Sequence, residues 1–146
     1  MTSYTHTQTF QVAANVVYDA IMDVRGWWSG TIDGPVDKVG AEFRYRYPGM
    51  HDSTQRVTEL VPGKKIVWRV TDATLTFVSK PSEWKGTEIV FELVPVAGGT
   101  ELRFTHVGLV RAFECYDACS SGWRTLLTKS LPNRIMTGTQ QPDVFA

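Results

Sequence analysis

His106, Cys119 and Glu59 are the side chains of this 146-residue sequence whose type and spacing could do chemistry. His106 follows Leu102 and Phe104 at two-residue spacing, so it points to the apolar face of a strand over Thr100 to Val107. An inward imidazole is either a satisfied structural group or a hydrogen-bonding, acid–base group in a cavity. Cys115 and Cys119 lie four apart in a helical pattern. That places them near one helix face with poor geometry for a disulfide, which leaves free thiols. Cys119 sits one turn from Tyr116 and from Trp123. A buried cysteine is ordinarily a small hydrophobe, and a nucleophilic role needs a depressed pKa that no neighbouring cation in the sequence supplies. Glu59 shares a strand face with Val57 and Val61. It is a buried acid or base if that face is inward and a solvated carboxylate if Thr58 and Leu60 point in; one residue of register decides. His6 and His51 read as exposed. Scattered His and Cys make no metal site, and Gly30, Gly34 and Gly40 match no phosphate or dinucleotide fingerprint. No metal, no cofactor and no catalytic residue is assigned.

The second resource is aromatic. Five Trp, five Tyr and seven Phe are many for so short a chain. Most fall on faces that the pattern turns inward, where they either pack a core or line a pocket. Tyr hydroxyls and Trp N–H groups need partners when buried, and a dry core is better served by Phe and Leu. The polar tips therefore favour a pocket. The candidate ligand-binding residues are Trp27, Trp28, Tyr45, Tyr47, Trp68, Phe91, Phe104, His106, Tyr116, Cys119, Trp123 and Leu127.

The elements that must position them emerge from periodicity. Tyr4 to Val12 reads as a strand. Ala14 to Val24 is helical, with Val17, Ala20, Ile21 and Val24 on one face. Trp27-Trp28 sits in an irregular segment rich in turn formers, expected over a core or cavity entrance. Phe43, Tyr45 and Tyr47 alternate with Glu42, Arg44 and Arg46, the clearest half-buried strand. Pro48-Gly49 turns it, and Thr54 to Val61 is the next strand. After the Pro62-Gly63 turn, Lys65 to Thr71 carries Ile66, Trp68 and Val70 on one face. Asp72 to Ser82 reads as a long loop or a short strand over Leu75 to Val78, and Trp84 finds no place. Thr87 to Val94 and Thr100 to Val107 form a hairpin across Gly98-Gly99. Ala112 to Leu131 is a long helix with Phe113, Tyr116, Cys119, Trp123, Leu127 and Ser130 in one stripe, ended or kinked by Pro132. Gly138 to Ala146 reads as a surface extension. Strands followed by a segregated helix make an α+β arrangement.

Composition bounds the function classes. The length suits one domain, here residues 1–146, large enough to bury a core without disulfides or metal. Fifteen Lys+Arg balance fifteen Asp+Glu, which argues against a nucleic-acid partner. No apolar run approaches a membrane span, and the N-terminus lacks a signal peptide's basic and apolar regions, so the expectation is a cytoplasmic protein with no membrane association. The Arg44, Arg46, Arg56 and Arg69 stripe reads as a solvated outer face.

Taken in order, several segments resemble the Bet v 1-like, or START-like (SRPBCC), superfamily, and within it the activator of Hsp90 ATPase homologue-like group. They are Val17-Tyr18-Asp19-Ala20-Ile21, Trp27-Trp28-Ser29, Val39-Gly40-Ala41-Glu42-Phe43, Glu59-Leu60-Val61-Pro62 with Val67-Trp68, Glu83-Trp84-Lys85-Gly86-Thr87-Glu88-Ile89, Thr105-His106-Val107-Gly108-Leu109 and Gly122-Trp123. The resemblance spans about residues 4 to 140. It implies a helix-grip fold: a curved antiparallel sheet of about six strands around the C-terminal helix, two short helices after the first strand, and a cavity between sheet and helix. Pro132 departs from the pattern, since relatives usually continue the helix there. The Hsp90 activator proper uses an additional N-terminal domain for which this chain has no room, so chaperone activation is not expected. Family members bind or transform hydrophobic small molecules. The expected function is therefore binding of a small hydrophobic or aromatic ligand. The alternative is a cyclase- or hydrolase-like enzyme using His106, with Glu59 or a Tyr. A third reading is an interaction module such as a homodimer.

Overall fold

The computed structural model describes residues 2–138. Its seven strands are β1 (Tyr4–Phe10), β2 (Thr31–Asp33), β3 (Glu42–Tyr47), β4 (His51–Val61), β5 (Lys65–Leu75), β6 (Glu88–Val96) and β7 (Gly99–Val107). They form one curved, unclosed antiparallel sheet in the order β1-β7-β6-β5-β4-β3-β2. The strand beyond the expected six is β2, a short edge strand paired to β3. It was hidden in a run of turn formers because its pairing partner, not its own composition, makes it a strand. Of the two short helices after β1, α1 (Ala14–Met22) is a regular helix and Val24–Gly26 is a single 3-10 turn.

The period-two faces fold as expected. Phe43, Tyr45, Ile66, Trp68, Val70, Ile89, Phe91, Leu93, Leu102 and Phe104 are all buried on the inner face. The outer face carries the exposed pairs Arg44–Asp52 and Arg46–Asp33, which tie β3 to its neighbours. Such solvent-screened pairs contribute little stability.

β4 holds the register question. Its pairing with β5 slips between Thr54 and Gln55 and again between Val57 and Glu59. A bulge adds a residue to one strand and re-aims the side chains beyond it. Val57 is buried, while Glu59 is turned out to solvent and lies 3.6 Å from Lys65 Nζ. Glu59 is thus the solvated carboxylate of the two alternatives.

The C-terminal helix begins later and runs further than its apolar stripe implies. It comprises α2 (Tyr116–Thr125), a π-helical turn over Leu126–Ser130 and α3 (Leu131–Thr137). Pro132 has no N–H to give to the preceding turn and its ring crowds the carbonyl four residues back. The wider π turn just before it relieves both problems, so the helix continues through the proline. At the other end, Val110 to Cys115 forms turns, and the Glu83 carboxylate accepts the Glu114 and Cys115 N–H groups at 2.8 and 3.1 Å. A distant loop therefore caps this helix. Glu114 returns the contact by accepting the Ser79 N–H and hydroxyl at 2.7 and 3.0 Å. The segment between β5 and β6 is fastened in this way across the N-terminal end of α2. Among the described residues no helix is long and apolar enough to cross a membrane. The expected surface extension after Gly138 lies outside the described residues.

Candidate functional site

A cavity of about 250 Å³ lies between the open end of the sheet, the 76–86 segment and α2. The sheet contributes Tyr45, Tyr47 and His51, and the segment before β2 contributes Trp28. The 76–86 segment contributes Phe77 and Trp84. From the helix come Ala118, Cys119, Gly122, Trp123 and Leu126; the small residues at 118 and 122, one turn apart, leave room beside Trp123. Met50 and Phe77 line the cavity and are themselves exposed, so they form its rim. The two rim segments are joined by Thr76, whose N–H donates to the Met50 carbonyl at 3.0 Å and whose hydroxyl donates to the Gly49 carbonyl at 2.6 Å.

The walls are stacked indoles. Trp28 lies on Tyr45 with ring centres 4.2 Å apart and near-parallel planes, and is parallel to both Trp27 and Trp68 at 6.0 Å. Trp84 and Trp123 are parallel at 6.0 Å, and Trp123 meets Trp28 at 5.3 Å. All five tryptophans are buried and form one connected set. Gly30 permits the approach: with φ of 123°, a Cβ there would sit 2.6 Å from both the Arg46 carbonyl oxygen and the Tyr45 ring.

Twelve candidate residues were expected around a ligand, and the fold divides them. Trp28, Tyr45, Tyr47, Cys119 and Trp123 line the cavity. Trp27, Trp68, Phe91, Phe104, His106 and Leu127 are packed in the core, and Tyr116 packs against it half-buried. Trp27 donates its N–H to the Ile21 carbonyl at 3.0 Å, which fixes it to α1. Trp68 sits edge-on to Phe43 and Phe91, each at 5.1 Å.

His106 is wholly buried and both of its ring nitrogens are occupied. Trp123 Nε1–H can only donate, so Nδ1 of His106 accepts it, at 3.0 Å. The ring proton then resides on Nε2 and is donated to Thr87 Oγ1 at 2.8 Å. The Thr87 hydroxyl in turn donates a hydrogen bond to the Trp84 carbonyl at 2.6 Å. This chain links β7, the 76–86 segment and α2. Burial, with a smaller contribution from nearby His51, pushes the His106 pKa down to about 3, so the ring is neutral at pH 7.

Sequence reasoning missed seven of the cavity residues: His51 and Trp84, and with them Met50, Phe77, Ala118, Gly122 and Leu126. His51 is the hairpin partner of Tyr47 across the Pro48-Gly49 turn, and cross-strand partners share a face. The inward assignment of Tyr47 thus carried the signal that His51 points in as well. Its ring packs edge-on against Tyr45 at 4.9 Å and Trp84 at 4.5 Å, and Nε2 lies 2.8 Å from Ser53 Oγ. Ser53 also accepts the Gln55 amide, so the inner face of β4 carries a polar track leading away from the cavity. Burial lowers the His51 pKa to about 4 against the opposing pull of Asp52. Trp84 is positioned by its neighbour Glu83, the long-range cap, and no local pattern could announce it. Its N–H points to Cys119 Sγ at 3.3 Å.

A curved antiparallel sheet gripping one long helix, with an aromatic cavity between them, defines the helix-grip class of the Bet v 1-like, or START-like, superfamily. The chain belongs to the family described as activator of Hsp90 ATPase homolog 1-like protein, whose sequence profile matches residues 11–134. No curated protein matches it significantly. Among solved structures it is similar to the Aha1 dimer from Colwellia psychrerythraea, at 27% identity and a TM-score of 0.76 over 94% of this chain and 98% of that one. It has the same fold as protein MLL2253 from Mesorhizobium loti, at 17% identity and a TM-score of 0.74 over 96% and 100% of the two chains. The same holds for DynU16, a putative protein in the dynemicin biosynthetic locus, at 18% identity and a TM-score of 0.69 over 92% of this chain and 47% of that one.

Proposed function

We propose that this chain, as one START-like unit over residues 1–146, binds a small hydrophobic or aromatic molecule in the cavity between sheet and helix. The observation that carries this reading is the wall itself: the aromatic side chains of Trp28, Tyr45, Trp84 and Trp123 line a cavity of about 250 Å³. A cavity of ~150 Å³ accommodates benzene, so this one suits a somewhat larger ligand of one or two rings. His51 and the two tyrosines supply a few polar atoms for orientation, the usual composition of a small-molecule site. The alternative of a cyclase- or hydrolase-like enzyme draws no support from His106, since both ring nitrogens are engaged and the ring is not among the cavity-lining residues. Two buried free thiols suit the reducing cytoplasm as the site of action.

The test is a thermal shift screen with one- and two-ring ketones, phenols and hydrocarbons beside medium-chain fatty acids, read also by tryptophan fluorescence. A ligand present at a hundred times its Kd is expected to stabilise the fold by about 2.7 kcal/mol. An unmoved melting temperature and unchanged fluorescence across the aromatic set would remove the reading. The dimer in the name of the Colwellia neighbour supports a homodimer as the assembly of this chain. Light scattering is then expected to give twice the 16.4 kDa protomer mass, and the monomer mass at micromolar concentration would exclude it.

A further inference from the structure

We propose that Cys119 is a covalent capture site for soft, apolar carbon electrophiles of the α,β-unsaturated carbonyl class that enter the aromatic cavity; the inference rests on the binding function proposed above. Three features of the site meet at this residue. First, Cys119 lines the cavity, whereas the other thiol, Cys115, is buried at 1% exposure and is not among the lining residues. Second, the Cys119 sulfur has a donor aimed at it: the Trp84 indole N–H points at it from 3.3 Å. Donors aimed at sulfur stabilise the thiolate and the charge that develops as it attacks. The Cys119 pKa is lowered accordingly, chiefly by Cys115, while burial and the Glu83 carboxylate oppose the change. The Cys115 pKa is raised, first by the neighbouring Cys119 and then by burial. Third, the parallel Trp84 and Trp123 rings line the cavity beside Cys119, with Tyr45 and Trp28 also in its walls, a surround that favours an aryl group over a charged reagent.

The step needs no oxidant or second reactant. The sulfur lone pair forms a bond to the β carbon of the enone, the carbon–carbon π pair shifts toward the carbonyl oxygen, and the thiol proton leaves to water. A proton from water then returns to the α carbon. The product is a saturated thioether ketone whose mass is that of protein plus electrophile.

The experiment uses the full chain with 4-phenylbut-3-en-2-one, followed by intact mass and peptide mapping. The saturated 4-phenylbutan-2-one serves as non-reactive competitor, with its own binding read by thermal shift. One adduct on Cys119 is expected, slowed by the saturated ketone and absent in Cys119→Ser with its melting temperature retained. Trp84→Phe keeps a ring in place but removes the N–H donor, and about tenfold slower addition is expected, the size of one hydrogen bond to a developing charge. Modification on Cys115, equal rates with iodoacetate, or no protection by the saturated ketone would each overturn the proposal. If the saturated ketone binds and the enone does not add, capture is wrong and the binding function stands. If neither binds nor adds, both fail for this ligand class.

Discussion

Trp123→Ala is expected to cost the fold about 5 kcal/mol, enough to leave little of the stability of an ordinary domain. The indole is 2% exposed and packs between Phe104 at 4.7 Å, Trp28 at 5.3 Å and Trp84 at 6.0 Å. Removing a buried Trp side chain costs about 3–5 kcal/mol when the surroundings collapse only partly. Here the indole also supplies the N–H that satisfies His106 Nδ1 in a wholly buried setting. An orphaned buried acceptor adds about 1–3 kcal/mol. Because the cavity adjoins Trp123, some of the new space will hydrate, which is why the expected total lies below the sum of both extremes. Trp123→Phe separates the two contributions, since it keeps most of the ring packing and deletes the N–H, and a loss of about 1–3 kcal/mol is expected. Urea denaturation followed by far-ultraviolet circular dichroism measures both. A Trp123→Phe variant as stable as the parent would mean that the His106 contact contributes nothing, and a Trp123→Ala loss below about 2 kcal/mol would mean that Trp123 is not part of the packed core.

The same residues show how much of the site the sequence could disclose. Alternation along β3, β5, β6 and β7 put Tyr45, Trp68, Phe91, Phe104 and His106 inward, and all are buried there. Pattern reports the face of a strand, however, and not whether the space above that face is filled. Trp68 and Phe91 are covered by Trp27, Trp28 and one another, whereas Tyr45 lies where the cavity remains open. That difference is made by the 76–86 segment, which is held by Glu83 on helix N–H groups thirty-one and thirty-two residues away. Long-range caps leave no periodic trace, so Trp84 was invisible as a wall. His51 was legible in principle through its pairing with Tyr47, but a strand read as starting at Thr54 concealed it. Pro132 misled in the opposite direction: its local effect is to break a helix, and the π turn at Leu126–Ser130 absorbs that effect.

Acid should begin to destabilise this protein near pH 6.5, well before the ordinary carboxylate range is reached. His106 and His51 have folded pKa values of about 3 and about 4, both lowered mainly by burial, against about 6.5 in an unfolded chain. A depressed histidine means that the unfolded state takes up the proton first. Stability is therefore flat above pH 7 and falls as pH drops below 6.5, until each folded pKa is reached. With both rings contributing, the slope approaches about 2.7 kcal/mol per pH unit, and about 6 kcal/mol is gone by pH 4. Asp52, held low first by its hydrogen bond to Arg44, acts in a separate and lower window: its contribution is present above the ordinary carboxylate pKa and is lost below it. That pair is largely solvated, so its share is small. Denaturant midpoints measured between pH 8 and pH 4 are expected to drop steeply from pH 6.5 downward. In His106→Gln, which keeps a neutral polar group but cannot titrate, the curve starts lower at pH 7 and its slope is about half. A parent curve that stays level to pH 4 would mean that His106 and His51 are hydrated and ordinary, and the dry Trp123–His106–Thr87 chain would have to be abandoned with them. A parent slope of only about 1.4 kcal/mol per pH unit, unchanged in His106→Gln, would place the proton uptake on His51 alone, at the cavity wall, where a bound aromatic ligand should then extend the loss to lower pH by excluding water from the ring.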